Sequence, residues 1–211
     1  MITDPTRIAG LMTREVRTGE RDGAPTRIVV ARRTYPTTQE DLWDAVTTAE
    51  RIPRWFLPVE GDLEVGGRYQ LIGNAGGTVE RCDPPASFAT TWEMGPMVSW
   101  LQVALTPDGD GTALELTHEA PVDPDLWAQF GPGAVGLGWD LGLMALGLLV
   151  DSGEPVDREA GMAFSFSPEG IAFLQVASDG WAAAAVADGD DPEAARTAAA
   201  TVLAMYTTAP E

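Results

Sequence analysis

The sequence predicts an α+β fold in which a curved antiparallel sheet wraps a long helix near the end of the main domain. Two observations support this prediction. Six short strand patterns follow one another over about sixty residues, joined by tight turns, which is typical of an antiparallel meander. After Pro121 the apolar period changes from that of a strand to that of a helix, and Ala134–Val150 is the most hydrophobic segment of the chain.

The first predicted elements are a strand pair and two short helices. Residues 1–26 are polar and predicted to be loose at first, although Thr13–Thr18 can pair with the predicted strand Arg27–Tyr35. An amphipathic helix follows, capped by Thr37 or Thr38, with Leu42, Trp43, Val46 and Ala49 at helical spacing. A second short helical turn, Glu50–Phe56, ends before Pro58.

The meander begins after these helices. Its turns are marked by Gly66-Gly67, by the run Gly73–Gly77, by Asp83-Pro84-Pro85 and by the loop PDGDG. The predicted strands are Gly61–Val65, Arg68–Ile72, Thr78–Cys82, Phe88–Glu93, Ser99–Thr106 and Thr112–Glu119. With Arg27–Tyr35 they make a sheet of about seven strands.

Helices are predicted for the rest of the chain. One begins at Asp123 or Pro124, breaks around residues 131–133 and resumes to about Val150. Two Ala-rich helices begin at Ser167-Pro168 and Asp191-Pro192, because each pair supplies a capping side chain and a proline at the first helical position. They predict a helical hairpin over residues 151–211 that packs on the main domain, builds a homodimer or covers a pocket as a lid.

The charge of the chain limits its partners. The net charge is −19, with 13 basic residues, all of them Arg, against 32 acidic ones. Through Cys82 the charges nearly balance, and beyond it the carboxylates dominate. A phosphate backbone or an anionic membrane surface needs a basic stripe, so neither is an expected partner. Asp140 and four glycines make Ala134–Val150 a poor membrane span, and a buried helix fits better.

Cysteine content and the N-terminus bear on the compartment. Cys82 is the single cysteine, so no intramolecular disulfide and no cysteine-based metal site are expected. The first residues lack a basic stretch followed by an apolar run, so no secretory signal is predicted. The default expectation is a cytoplasmic protein.

One segment carries a family resemblance. Glu40–Tyr69, EDLWDAVTTAERIPRWFLPVEGDLEVGGRY, has the order helix, aromatic Trp55-Phe56, strand, double glycine, strand. It resembles the SRPBCC (START-like, helix-grip) superfamily, and within it the branch similar to the activator of Hsp90 ATPase homologue 1. The resemblance implies the helix-grip (START/Bet v1-like) fold for residues 27–150, preceded by an N-terminal segment 1–26 and followed by the helical extension 151–211.

The resemblance also implies an interior that can hold a ligand. A sheet curved around one helix leaves space that ligands commonly use, and Gly138 and Gly142 leave either room for a ligand or a close approach to the sheet. Trp55, Trp92 and Trp139 match aromatic positions of the family. The residues predicted to line this apolar interior are Trp55, Tyr69, Leu71, Trp92, His118, Trp139 and Leu143.

His118 is the only histidine in the chain. Strand alternation places it on the same face as Leu114 and Leu116, toward the interior. It is a candidate hydrogen-bond partner of a ligand or a general base, but its position at the end of Leu-Thr-His favours a structural role. A lone histidine cannot build a metal site, and no phosphate-binding, hydrolase or dinucleotide motif is present. No catalytic residue, metal or cofactor is therefore predicted.

The resemblance leaves three functions open. The first is a binding domain for a hydrophobic or amphipathic small molecule. The second is a regulator of an Hsp90-type chaperone, a reading weakened because the 26 residues before the first strand cannot replace the docking domain of the eukaryotic activators. The third is a cyclase or aromatase that shapes a reactive substrate. Binding is the default expectation.

Overall fold

A computed structural model describes residues 4–209 and shows an α+β fold. The elements in chain order are α1 (Pro5–Gly10), β1 (Thr13–Arg21), β2 (Ala24–Tyr35), α2 (Gln39–Thr47), a 3-10 turn (Ile52–Arg54), β3 (Val59–Gly61), β4 (Arg68–Leu71), β5 (Gly76–Asp83), β6 (Ser87–Met94), β7 (Met97–Asp108), β8 (Gly111–Pro121), α3 (Pro124–Phe130), α4 (Gly133–Ser152), α5 (Arg158–Phe164), α6 (Pro168–Ala187) and α7 (Pro192–Thr207).

The strands form one antiparallel sheet, which confirms the predicted fold class. Their order is β1-β2-β8-β7-β6-β5-β4-β3, so the chain runs as a meander from β3 to β8 and β2 lies beside the last strand of that meander. The sheet has eight strands because the segment at Thr13, predicted as an optional partner of β2, does form β1.

Two strand boundaries were predicted wrongly. The strand predicted at Gly61–Val65 lies earlier, at Val59–Gly61, because Gly61 adopts a φ of +102° and the Asp62 side chain accepts the backbone N–H of Glu64 to start a loop. The prediction that Gly76-Gly77 belongs to a turn is also wrong. Both glycines are strand residues of β5, and a side chain at Gly77 would collide with the carbonyl oxygen of Thr91.

The helix starts predicted from local sequence are confirmed. Asp123, Ser167 and Asp191 each accept hydrogen bonds from backbone N–H groups of the first turn of α3, α6 and α7. Two short helices were missed. α1 lies in the segment predicted to be loose, capped by Asp4, and α5 lies before α6, capped by Asp157.

The chain folds into two compact units, and β2 and α4 each run from one unit into the other. The first unit comprises residues 4–31, 122–144 and 157–209 of the described chain. The second comprises residues 32–121 and 145–156. The first unit therefore combines both ends of the chain, whereas the second contains most of the sheet.

A buried charged group lies at the centre of the first unit. Asp140 of α4 has no exposed surface, and both its carboxylate oxygens accept from Nε of Arg14 on β1, at 3.2 and 3.1 Å. The indole N–H of Trp181 on α6 donates to Asp140 Oδ2 at 2.8 Å. Burial raises the pKa of Asp140, while the charge and hydrogen bond of Arg14 and the hydrogen bond of Trp181 lower it.

The remaining guanidinium nitrogens of Arg14 extend this network. They donate to the carbonyl oxygens of Met12 and Ala9, the latter in α1. One carboxylate thus connects α1, β1, α4 and α6. A second group of charges joins Arg27 of β2 to Asp188 and Asp190 after α6, at 2.6 and 2.9 Å. In both cases an arginine of the balanced first part of the sequence pairs with a carboxylate of the acidic second part.

Glycines on α4 make room for the C-terminal helices. A Cβ atom at Gly136 would lie 2.4 Å from the Trp181 ring, and one at Gly133 would lie 2.7 Å from Val202 of α7. At Gly138 the nearest atom is the hydroxyl oxygen of Tyr206, also on α7. The residue that approaches Gly138 is therefore on α7, an arrangement that the sequence did not indicate.

The two longest helices are also the most apolar. By length and composition alone, α4 and α6 could each cross a membrane. The same composition is typical of core helices, and most of α4 is buried, including Leu137 and Leu146, which have no exposed surface. On α6, Phe173 and Leu174 are likewise fully buried. The predicted use of the C-terminal helices as a dimer contact stays a prediction.

Truncating Trp139 tests the placement of α4. The side chain is 8% exposed, so Trp139→Ala is expected to lower the free energy of unfolding by about 3–5 kcal/mol through lost packing. Chemical denaturation measures the loss. Leu126→Ala, at a side chain that is 47% exposed, serves as the control and should change stability by less than about 0.5 kcal/mol. Equal losses in both variants would contradict the packing.

Removing the carboxylate of Asp140 tests the buried ion pair. Asp140→Ala leaves the buried charge of Arg14 without its counterion and is expected to cost about 3–5 kcal/mol of unfolding free energy. The double variant Arg14→Met, Asp140→Ala should regain part of that loss, because no uncompensated charge remains. The single variant Arg14→Met completes the comparison. If the losses of unfolding free energy in the two single variants simply add up in the double variant, the two groups do not interact.

Candidate functional site

A row of buried side chains crosses one face of the second unit. Val79, Thr90, Leu101 and His118 are successive cross-strand partners on β5, β6, β7 and β8. None is more than 6% exposed. Because directly paired residues share a sheet face, the row carries two polar groups into an otherwise apolar surface.

An apolar cluster adjoins this row. Its buried members are Tyr69, Leu71 and Val79. The side chains packed against them remain only partly buried, and they come from the segment before β3, from β3, from the following loop and from β6: Phe56, Leu57, Val59, Leu63 and Trp92. This apolar cluster therefore combines a buried floor with a partly exposed rim of large hydrophobic side chains.

Hydrogen bonds orient Tyr69 within the apolar cluster. Its hydroxyl donates to the carbonyl oxygen of Thr91 at 2.8 Å and lies 3.3 Å from Oγ1 of Thr90. Gly77, the cross-strand partner of Tyr69, has no side chain and so leaves the Thr91 carbonyl accessible. Burial raises the pKa of Tyr69, so its phenol stays protonated near neutral pH.

His118 is a neutral hydrogen-bonding group rather than a charge. Its Nε2 lies 2.8 Å from Oγ of Ser99, and the Ser99 hydroxyl donates to the carbonyl oxygen of Trp92 at 3.0 Å. Since serine has one hydroxyl proton, Nε2 of His118 is the donor in this pair. Burial lowers the pKa of His118 to about 4. The Trp92 ring packs edge-on against the imidazole, with 6.0 Å between ring centroids.

This proton arrangement bears on catalysis. In this arrangement the Ser99 hydroxyl donates to a main-chain carbonyl, so the imidazole does not accept the Ser99 proton. Among residues 4–209, no three His, Cys, Asp or Glu side chains lie close enough to hold a metal ion. The Ser99 hydroxyl and the His118 imidazole are in contact, but the hydroxyl donates to the Trp92 carbonyl and the imidazole donates to the hydroxyl.

The structure separates the predicted cavity residues into groups. Tyr69, Leu71 and Trp92 belong to the apolar cluster, and His118 contacts Trp92. The Trp55 ring stacks on Phe56 and its indole N–H donates to the Ala45 carbonyl of α2. Phe56, the next residue, packs against the cluster.

Trp139 and Leu143 are buried residues of α4 and belong to the first unit. Their predicted place in a ligand cavity stays a prediction.

Sequence analysis missed several residues of this face and of the apolar cluster, among them Phe56, Val79, Thr90 and Ser99. Thr90 shares its strand phase with Phe88 and Trp92, so alternation alone could have indicated it. Ser99 faces His118 only because of the register between β7 and β8, which no local pattern displays.

An open groove of about 610 Å³ also lies on α7. It is lined by Glu193, Arg196, Thr197, Ala200 and Thr201, all from one face of one helix. Three of these side chains are exposed polar groups, and no buried polar side chain points into the groove. It lacks the buried polar groups that mark a ligand site.

Comparisons with known proteins agree on one fold. Residues 36–150 match the family model described as activator of Hsp90 ATPase homolog 1-like protein. The chain is 29% identical to CalU16 from Micromonospora echinospora in its crystal structure, with a TM-score of 0.63, covering 82% of this chain and 97% of that one. The solution structure of CalU16 gives 28% identity, a TM-score of 0.69, and coverages of 84% and 97%.

More distant structures share the fold. Protein MLL2253 from Mesorhizobium loti is 25% identical over 59% of this chain and 97% of its own, with a TM-score of 0.52. The Aha1 dimer from Colwellia psychrerythraea is 16% identical over 60% of this chain and 97% of its own, with a TM-score of 0.51. No curated protein matches the chain. The predicted helix-grip fold is confirmed by these neighbours.

The buried imidazole predicts a pH dependence of stability. His118 has a pKa of about 4 in the folded protein against an ordinary value of 6.5, so the unfolded chain binds this proton first as pH falls. Its contribution is fully present above about pH 6.5 and is lost toward pH 4, by roughly 3 kcal/mol in total. Denaturation at pH 7 and pH 4.5 should show a steeper loss in the native protein than in His118→Gln. Equal losses would contradict a buried neutral imidazole.

Proposed function

Because the chain belongs to the activator of Hsp90 ATPase homolog 1-like family, we propose that its helix-grip domain binds a hydrophobic or amphipathic small molecule. The observation that carries this proposal is the apolar cluster of the second unit. A rim of partly exposed hydrophobic side chains packs against a buried floor that contains the hydrogen-bonded hydroxyl of Tyr69. Apolar walls with a few fixed polar groups are the usual composition of small-molecule sites.

The energetics favour an apolar occupant. Each partly exposed side chain of the rim keeps apolar surface in contact with water, and covering that surface is worth about 25 cal/mol per Å². Phe56 and Trp92, two of these side chains, are aromatic and so contribute large apolar areas. The polar groups buried in this face, Tyr69, Thr90 and His118, are all neutral near pH 7, which supports an uncharged ligand or the uncharged end of an amphipathic one.

A chaperone-regulating role is the second candidate. The description of the matching family names activation of the Hsp90 ATPase, and this supports testing the cell's Hsp90 homologue as a partner. A pull-down with the purified chain, followed by an ATPase assay on the captured chaperone, tests this role. Capture without any change in ATPase rate would count against it.

A cyclase-like enzyme is a weaker candidate. Such an enzyme would have to act by shaping its substrate, because the polar groups of the face offer hydrogen bonds but no activated nucleophile.

Two residues of one loop allow a controlled test of ligand binding. Leu63 belongs to the rim of the apolar cluster, whereas Val65 in the same loop is 60% exposed and outside it. Nile red, a neutral apolar dye, is expected to bind saturably to the native protein. Leu63→Glu should weaken this binding about tenfold or more, since the dye would contact a charge, and Val65→Glu should leave it unchanged.

Fluorescence titration with each purified variant measures the dissociation constants. An absence of saturable binding to the native protein would contradict the proposal. So would equal affinities of the native protein and both variants, because the dye would then bind elsewhere.

A further inference from the structure

The hydroxyl protons of Tyr69 and Thr90 are both donated in hydrogen bonds within the protein. Tyr69 donates its single proton to the Thr91 carbonyl at 2.8 Å, which leaves Thr90 as the donor in the 3.3 Å contact between the two hydroxyls. Each oxygen retains acceptor capacity. Within residues 4–209, neither accepts a further hydrogen bond beyond this mutual contact, and both side chains are buried.

The second polar pair of the face is arranged in the same way. Ser99 donates its proton to the Trp92 carbonyl, and His118 donates from Nε2 to Ser99. The face therefore directs its hydroxyl protons to main-chain carbonyls and to neighbouring side chains. What the Tyr69–Thr90 pair can still offer to a molecule on the apolar cluster is oxygen lone pairs.

We propose that this site selects a neutral ligand with a hydrogen-bond donor, such as an aromatic alcohol, whose hydroxyl donates to the Tyr69–Thr90 pair while its ring covers the apolar cluster. The inference rests on the binding function proposed above and adds the polarity of the ligand. The two hydroxyl oxygens are 3.3 Å apart, which is longer than the usual distance of about 2.7–2.8 Å, so the hydrogen bond between them is weak.

Acceptor ligands are disfavoured for a physical reason. A ketone or carboxylate oxygen would meet lone pairs on Tyr69 and Thr90 instead of protons. To donate to it, Tyr69 would have to give up its 2.8 Å hydrogen bond to the Thr91 carbonyl, and the new bond would only replace the one lost. A carboxylate would also have to shed its hydration beside a neutral, apolar surface.

A set of three probes of nearly equal shape tests the polarity of the site. These are 2-naphthol, which carries a hydroxyl donor, 2-methoxynaphthalene, which lacks it, and 2-acetonaphthone, which presents a carbonyl acceptor. Each competes with Nile red for the native protein. We expect 2-naphthol to bind about 3- to 10-fold more tightly than either acceptor probe, the range expected for one net hydrogen bond.

Three variants assign this preference to the pair. Tyr69→Phe removes the phenol and frees the Thr90 proton, so the preference should reverse toward 2-acetonaphthone. Thr90→Val removes one acceptor, keeps the phenol and should reduce the preference for 2-naphthol. Tyr206→Phe, at a half-buried tyrosine of α7 in the other unit, is the matched control and should keep the native ratio.

The outcomes separate this inference from the binding function. If the native protein binds all probes equally, or 2-acetonaphthone most tightly, the inference is overturned and the binding function stands. The same holds if Nile red binds and 2-naphthol does not. If neither Nile red nor any naphthalene binds, both proposals fail. A 2-naphthol preference that persists unchanged in Tyr69→Phe and Thr90→Val overturns the assignment to this pair.

Discussion

The carboxylate of Asp140 organises the first compact unit. A charge with no exposed surface is tolerated only when its hydrogen-bonding capacity is met, and Arg14 and Trp181 meet it from two different elements. Since the same Arg14 also holds carbonyls at the end of α1 and before β1, the elements of both chain ends are tied to one point of α4. Gly136, which gives the Trp181 ring its space, belongs to the same arrangement.

In the second unit, the register between neighbouring strands determines which side chains contact each other. The sheet row from Val79 to His118 exists because four strands are aligned by their hairpins. Strand alternation then places the side chains of Thr90 and His118 on the buried, otherwise apolar face of the sheet. The main-chain carbonyls of Thr91 and Trp92 accept hydrogen bonds from the hydroxyls of Tyr69 and Ser99. The hydrogen-bonding groups that this face offers to a ligand therefore depend on backbone positions as much as on side chains.

Local signals explain which parts of this arrangement were predictable. The caps at Asp123, Ser167 and Asp191 act within one helical turn, and the helices they begin were predicted correctly. The three residues of β3 form an edge strand set by pairing with β4, so their position was not evident from local sequence. The contact of Arg14 with Asp140 joins residues 126 positions apart, and no periodicity displays it.

The site shows the same division. Tyr69, Trp92 and His118 were predicted from alternation and from the family resemblance, and each lies in or beside the apolar cluster. Trp55 was predicted from the family resemblance, and its neighbour Phe56 packs against the apolar cluster while the Trp55 indole donates to the Ala45 carbonyl. Two adjacent aromatic residues do not indicate from sequence which ring packs against the sheet. Thr90 and Ser99 acquire their roles from hydrogen bonds across strands, which depend on register.

Small-molecule binding is the central claim of this account, and native mass spectrometry of the purified chain tests it most directly. The spectrum of the folded protein is compared with that of the same sample after denaturation. The account predicts an added mass on the folded protein that is released on unfolding and belongs to a neutral, largely apolar compound. A folded protein that carries only its own mass, and that also fails to retain an added apolar alcohol, would contradict it.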